Sequence, residues 1–202
     1  MHGALDVEAL RRDLEAVELP SIPVRSAVPD RATYLQRPDL GRRLDPDSRE
    51  RLAAAAVPGV DAVLVVADGL AAAAAGRHAV PLLASLVPRL RATRWRLAPV
   101  VVAEQARVAL ADEIGTVLGA RLAVILLGER PGLSAPDSLG AYLTWEPRRG
   151  RTDAERNCVS NIRPEGLPCE LAAERLLYLM TEARRRRLSG VALKEETGML
   201  GA

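Results

Sequence analysis

The sequence predicts an α/β fold in which helices flank a doubly wound, mainly parallel sheet. Three short runs carry this prediction, because residues 61–67, 97–103 and 122–127 are apolar almost throughout and rich in β-branched or small side chains. Strands that are apolar on both faces are typical of a parallel sheet covered on both sides. Helical patterns lie between these runs, and a strand–helix–strand order predicts right-handed crossovers. We therefore expect a Rossmann-like domain.

The other predicted strands are less central. Residues 22–28 contain Pro23, which favours a position near the edge of the sheet because proline cannot donate to a neighbouring strand. Two further strands are expected at 141–145 and 156–162, after a long loop. That loop is marked by Pro131, Gly132, Pro136 and Gly140.

Five stretches show apolar residues at helical spacing: 6–16, 48–56, 70–93, 110–118 and 169–188. Pro81 and Pro88 predict that the third helix is interrupted, since a proline inside a helix removes a hydrogen bond. Gly119 is expected to follow the fourth helix and Gly190 to end the last. The four arginines 184–187 complement the dipole at the helix end, which we favour over a site for an acidic partner.

Composition indicates one domain over residues 1–202, with an N-terminal helical segment at 1–19 and a C-terminal tail at 190–202. The formal charge of +2 gives no basic footprint for nucleic acid. No apolar run reaches the ~18 residues that a membrane helix needs. Cys158 and Cys169 are the only cysteines, and without a secretion signal they fit a reducing cytoplasm.

A binding site is expected beyond the carboxyl ends of the parallel strands, where such sheets bind ligands. Asp68, Glu104 and Glu129 lie at or just after three of these ends. A carboxylate there needs hydrogen-bond donors from a ligand, a helix start or a partner chain. Asp68 as the N-cap of the next helix is an equally good interpretation, and Glu129 paired with Arg130 or Arg163 is another.

Several common sites have no signature in the sequence. There is no GxGxxG dinucleotide fingerprint, no GxxxxGK[ST] phosphate loop and no GxSxG nucleophile elbow. His2 and His78 are the only histidines, and His78 in mid-helix is more often a packing residue than a ligand. The patterns alone therefore predict only a Rossmann-like domain that binds something large and polar.

Six blocks of the sequence carry a family resemblance: Tyr34–Leu44, Val66–Leu70, Arg107–Gly115, Gly128–Ser134, Asp137–Tyr142 and Thr152–Gly166. In order and spacing, these blocks resemble the ethanolamine ammonia-lyase small-subunit family. The resemblance runs from about residue 20 to 194, and the segments GERPGL and RNCVSNIRPEG are long and unusual. Members of that family commonly carry a longer N-terminal segment with a TPARIGLGRAG-like motif, which this sequence does not contain.

The resemblance implies an adenosylcobalamin-dependent enzyme that converts ethanolamine to acetaldehyde and ammonia by a radical mechanism. It implies a large TIM-barrel partner subunit, a higher hetero-oligomer, and cobalamin contacts at Val108, Glu129 and Cys158. Substrate contacts in the family lie mainly in the large subunit, so no catalytic residue is assigned here. The absent DxHxxG motif indicates base-on cobalamin with no cobalt ligand from this chain, and Cys158 is expected to pack as a neutral thiol.

Two alternatives differ in class from this enzyme subunit. One is a non-catalytic assembly or microcompartment-targeting module that keeps the fold. The other is a free-standing nucleotide-binding enzyme, which the missing fingerprints disfavour. The expected location is the cytoplasm, with residence inside a bacterial microcompartment left open.

Overall fold

The computed structural model describes residues 5–129 and 137–193, which form a six-stranded sheet with six α-helices. In chain order the strands are β1 (Ser21–Arg25), β2 (Ala62–Ala67), β3 (Val100–Glu104), β4 (Leu122–Gly128), β5 (Leu139–Trp145) and β6 (Arg156–Ile162). The helices are α1 (Val7–Ala16), α2 (Arg31–Gln36), α3 (Pro46–Ala54), α4 (Ala72–Ala92), α5 (Leu110–Leu118) and α6 (Cys169–Arg186).

The sheet is mixed, with the strand order β1-β3-β2-β4-β5-β6. The first four strands of that order are parallel, whereas β5 runs antiparallel to β4 and β6 antiparallel to β5. The α/β class is confirmed, but the predicted parallel, doubly wound arrangement does not extend over the whole sheet. Among the described residues no α-helix separates β4, β5 and β6, and neighbouring strands joined without a crossover α-helix pair antiparallel.

Helices cover both faces of the parallel strands, which explains why these strands are apolar throughout. On β2, Leu64 and Val66 belong to one buried cluster together with side chains of α1, α4 and α6. Val63 and Val65 belong to a second cluster on the other face, together with side chains of α3 and α5. Each strand residue therefore loses its contact with water on one face or the other, and this burial is the main force that stabilises the layers.

Helix α4 runs from Ala72 to Ala92 with Pro81 and Pro88 inside it, so the predicted interruption is wrong. The two prolines remove hydrogen bonds of the helix, but α4 is packed between the sheet and α6. Leu83 and Leu86 are among its fully buried side chains. Tertiary packing of the apolar face supplies most helix stability in proteins, and here it outweighs the missing bonds.

The helix ends agree with the sequence at α5 and differ at α6. Gly119 follows α5 in the left-handed conformation, with φ 66°. Helix α6 instead ends at Arg187, which itself adopts φ 57°, so the prediction for Gly190 is wrong. Gly190 starts a short 3-10 turn, and a Cβ there would overlap the Ala154 carbonyl oxygen. The guanidinium of Arg184 lies 4.2 Å from the centre of the Trp95 ring.

The remaining strand predictions can be placed on the sheet. β1 lies at one edge, as Pro23 predicted, and β5 and β6 are both present. Gly140, predicted in the loop, belongs to β5, while the loop residues 130–136 lie outside the described residues. Within the described part of the chain, every helix is too short or too polar to cross a bilayer.

Candidate functional site

The connections of the parallel strands reverse direction between β2 and β4. The chain leaves β2 through α4 towards β3 on one face, and reaches β4 from β3 through α5 on the other. A Cβ on Gly128 would overlap the Ala71 carbonyl oxygen, and one on Gly69 would overlap the Gly128 carbonyl oxygen. The two strand ends are therefore in direct contact, and no space for a ligand remains between them at these positions.

Asp68 ties neighbouring strand ends together. Its side chain is 5% exposed, and its Oδ1 accepts from the backbone N–H of Gly69 at 2.9 Å and of Ala106 at 3.2 Å. Burial raises the pKa of this carboxyl group. The N-cap interpretation is wrong, because α4 begins at Ala72 and its N-cap residue is Ala71, which makes no side-chain capping hydrogen bond. The donors that Asp68 needs come from this chain.

Glu129 is held at the boundary between β4, β5 and β6. Its Oε2 accepts from the Ser138 hydroxyl at 2.7 Å and from the Asn161 backbone N–H at 3.2 Å. Its own N–H donates to the Ser138 carbonyl oxygen at 3.0 Å. The alternative pairing with Arg163 is not observed, since that guanidinium contacts Asn161 Oδ1 at 3.0 Å. Arg130, the other alternative, lies outside the described residues.

A glycine in β5 gives Glu129 its position. A Cβ on Gly140 would lie 2.8 Å from Glu129 Oε1 and 3.1 Å from Glu129 Cγ. Because Gly140 has no side chain, the glutamate side chain can lie across β5. Oε2 is bound on both sides, and Oε1 has no donor within residues 5–129 and 137–193. The geometry leaves Oε1 as an acceptor for a donor from outside the described residues.

Cys158 shares its face of the sheet with Tyr142. Strand register pairs Cys158 with Tyr142, and Tyr142 with Ile125, a member of the cluster beneath α3 and α5. Burial raises the pKa of the Cys158 thiol and of the Tyr142 hydroxyl, and the charge of Glu129 raises both further. Both groups are therefore neutral near pH 7, although the Cys158 residue as a whole is exposed.

Val108 lies on the turn between β3 and α5. It is partly buried and packs against the same cluster as Tyr142. It also lines a cleft of about 680 Å³ with Arg107, Ala109 and Arg149. The structure thus groups Glu129 and Cys158 around Tyr142 and places Val108 on the adjoining wall. Val108 lines the cleft, whereas Glu129 and Cys158 do not.

A buried ion pair joins these two walls. Arg156 donates to Asp112 Oδ1 at 2.8 Å and to Oδ2 at 2.7 Å, and also to the Thr144 hydroxyl at 2.7 Å. Asp112 belongs to α5, four residues after Val108, and Arg156 begins β6, two residues before Cys158. The pair therefore fixes the start of α5 against β6.

Sequence reasoning missed Tyr142, Ser138 and Asn161. Tyr142 could have been found only with the direction of β5 and β6 known, because two adjacent antiparallel strands place it opposite a residue of the next strand. Ser138 and Asn161 carry no such signal. Their contacts with Glu129 depend on how the chain brings the ends of β4 and β6 and the start of β5 together.

His78 behaves as a packing residue. It is buried in α4, and its Nε2 lies 3.7 Å from Asp137 Oδ2. Across the described ranges, no group of three or more His, Cys, Asp or Glu side chains is arranged to hold a metal ion.

Comparison with known proteins decides the family. The model for "Ethanolamine ammonia-lyase light chain (EutC)" matches residues 1–194. The chain belongs to this family. The resemblance inferred from the six sequence blocks is therefore confirmed, and the chain is one subunit of a heteromeric ammonia-lyase that cleaves ethanolamine.

Similar relatives of this light-chain family come from several bacteria, and each is named "Ethanolamine ammonia-lyase small subunit". The protein of Azotobacter vinelandii is 58% identical over 199 residues, covering 97% of this chain and 74% of the relative. That of Ralstonia nicotianae is 57% identical, covering 96% and 73%. That of Pseudomonas syringae pv. tomato is 54% identical, covering 97% and 69%. A small subunit implies a large one, so the light chain works in a hetero-oligomer.

Proposed function

We propose that this chain supplies one wall of an adenosylcobalamin site, which a large TIM-barrel subunit completes. The proposal depends on one observation: Glu129, Tyr142 and Cys158 interact on one open face of the sheet, next to the wall that carries Val108. The enzyme would convert ethanolamine to acetaldehyde and ammonia. Its location inside a bacterial microcompartment stays a prediction from the family resemblance.

The surface suits a broad, amide-rimmed cofactor. Helices α3 and α5 pack on the parallel strands, whereas Cys158 on β6 remains exposed on the same face. Large cofactor sites combine apolar walls with a few well-placed polar groups. Here Val108 offers an apolar surface, and Glu129 Oε1 offers an acceptor for amide or ribose donors. The residues present therefore fit the cofactor.

Glu129 would orient the cofactor rather than react with it. Its Oε2 is fixed by Ser138 and Asn161, so the carboxylate is held in place before any ligand arrives. An acceptor whose position is already fixed loses little conformational entropy on binding. Hydrogen bonds to charged groups are each worth about 1.5–3 kcal/mol.

Cys158 would contribute packing. Thiolates rather than thiols bind metal ions, and burial raises the pKa of this thiol. A neutral thiol beside the neutral hydroxyl of Tyr142 presents a weakly polar surface. When bound, the cofactor supplies the radical chemistry through its cobalt–carbon bond, while the protein positions and shields it. We propose base-on cobalamin, with cobalt receiving no ligand from this chain.

Adenosylcobalamin titration of the complex with the large subunit tests the proposal. We expect Glu129→Gln to weaken the affinity about tenfold, from the loss of one charge-assisted hydrogen bond. Glu50→Gln is the matched control, because Glu50 is an exposed residue of α3. Unchanged affinity in a folded, assembled Glu129→Gln complex would remove Glu129 from the site. Stable assembly without retention of cobalamin by the wild type would favour an assembly module instead.

A further inference from the structure

The cleft beside Val108 has a strongly basic lining. It lies between the 3-10 turn Leu40–Arg42, the start of α5 and the segment 149–153, and holds about 680 Å³. Six arginines and three aspartates line it among the described residues. The cleft adjoins the proposed cofactor wall, because Val108 belongs to both.

Half of these arginines already have carboxylate partners. Arg156 pairs with Asp112 at 2.7 Å, Arg149 with Glu113 at 2.7 Å, and Arg151 with Glu155. Asp39 is likewise occupied, since it pairs at 2.8 Å with Arg37, which does not line the cleft.

Arg42, Arg43 and Arg107 remain without a carboxylate in the part of the chain that the structure describes. Arg42 and Arg43 are exposed, and their guanidinium groups have no hydrogen-bond partner there. Asp153, at the far side, lies 3.6 Å from Arg156 Nε. Three uncompensated cations around one concavity attract an anion, and partly desolvated walls strengthen that attraction.

Arg107 is fixed in place rather than mobile. Its guanidinium lies 4.1 Å from the centre of the Tyr34 ring, and its Nη2 donates to the Tyr34 carbonyl oxygen at 2.9 Å. A Cβ on Gly41 would lie 2.8 Å from Arg107 Cγ, so the glycine admits the arginine stem. The buried Nε has no hydrogen-bond partner in the described residues. That buried Nε is out of reach of the cleft, so only the rest of the guanidinium can meet a ligand. A planar guanidinium held in one position suits the recognition of phosphate oxygens.

We infer that this cleft binds a phosphodiester, namely the one in the nucleotide tail of the cobalamin. This inference rests on the proposed function and adds to it, since Val108 would contact the cofactor where its tail enters the cleft. The main-chain N–H groups of Val108 and Ala109 donate to no acceptor in the described residues, so they offer two further donors. Arg42, Arg43 and Arg107 would neutralise the phosphodiester charge.

The test compares two corrinoids in the complex with the large subunit. Adenosylcobalamin carries the phosphodiester tail, whereas adenosylcobinamide lacks it, and their affinities are measured by absorbance titration. We expect the double variant Arg42→Gln/Arg43→Gln to weaken adenosylcobalamin about 5- to 20-fold and to leave adenosylcobinamide within about twofold. Inorganic phosphate should compete with adenosylcobalamin but not with adenosylcobinamide. The difference in adenosylcobalamin affinity between the wild type and the double variant should shrink at high salt.

Arg12→Gln is the control, because Arg12 is an exposed residue of α1 outside the cleft. An equal effect on both corrinoids, or no effect on either, overturns the inference. Loss of subunit assembly in the double variant also overturns it, because the cleft would then dock an acidic surface of the partner. Glu129→Gln separates the two proposals. If Glu129→Gln weakens the binding of both corrinoids while the double variant weakens the binding of neither, the proposed cofactor wall is supported and the phosphodiester site is refuted.

Discussion

Removing Asp112 should be among the most damaging single changes in this chain. The side chains of Asp112 and Arg156 are 2% and 3% exposed, and two hydrogen bonds of 2.8 and 2.7 Å join them. Asp112→Ala leaves the guanidinium buried without its carboxylate. Breaking one half of a buried pair costs about 3–5 kcal/mol, since the remaining charge is no longer compensated. That is a large fraction of the ~5–15 kcal/mol that stabilises a typical domain.

An exposed pair of nearly equal length supplies the control. Arg37 and Asp39 lie 2.8 Å apart, but their side chains are 58% and 50% exposed. Asp39→Ala should therefore change the free energy of unfolding far less than Asp112→Ala does, because water screens such pairs. The comparison holds the separation of the charges nearly constant and changes burial.

Urea unfolding of the purified chain, followed by circular dichroism, measures both effects. At a denaturant slope of about 2 kcal/mol/M, Asp112→Ala should lower the unfolding midpoint by roughly 1.5–2.5 M. The double variant Asp112→Leu/Arg156→Met should recover most of the loss, because it leaves no buried charge. If Asp112→Ala and Asp39→Ala shift the midpoint equally, the reasoning from burial is refuted.

Three further changes test the site and the surface charges. Gly140→Ala should displace Glu129 and weaken adenosylcobalamin binding in the complex about 5- to 10-fold. Gly76→Ala is the control, since a Cβ there meets nothing within 4 Å. Unchanged affinity of the Gly140→Ala complex would contradict this role of Gly140. In a Cys169→Ala chain, alkylation of Cys158 by iodoacetamide should reach half of its maximal rate at a higher pH than alkylation of free cysteine, because burial raises the thiol pKa. A midpoint at or below that of free cysteine would contradict this. Arg185 and Arg186 lower the pKa of Glu182 to about 2. The contribution of Glu182 to stability should therefore be present above pH ~4.5 and lost as the pH falls towards 2. An NMR titration in which the Glu182 carboxyl shows an ordinary midpoint would contradict this.

Sequence patterns predicted the strands well because burial imposes a simple pattern. β2, β3 and β4 are covered on both faces, and continuous apolar runs are the direct consequence. The antiparallel direction of β5 and β6 was not predictable in the same way. A strand has the same local composition whichever way it runs, and its direction depends on how the chain returns to the sheet.

Proline and glycine rules failed where tertiary contacts outweighed them. α4 keeps both prolines because its apolar face is buried between the sheet and α6. α6 ends at Arg187 in a left-handed conformation that glycine would adopt more easily, while Gly190 serves a close contact with Ala154. Local propensity is a weak guide where packing decides the geometry.

Strand ends identified part of the candidate site. Glu129 was singled out correctly as a carboxylate at the end of β4, but its partners Ser138 and Asn161 come from other strands. Val108 was assigned from the family resemblance and also lies just past the end of β3, whereas Cys158 was assigned from the resemblance alone. The Asp112–Arg156 pair joins residues 44 positions apart, and no periodic pattern connects them.

A structure of the complex with its large subunit and bound adenosylcobalamin tests the central claim most directly. We expect the corrin or its side arms to contact Val108, Glu129 and Cys158, with Glu129 accepting a hydrogen bond from the cofactor. A corrin enclosed wholly by the large subunit, with the face of Tyr142 and Cys158 left open to solvent, would contradict it.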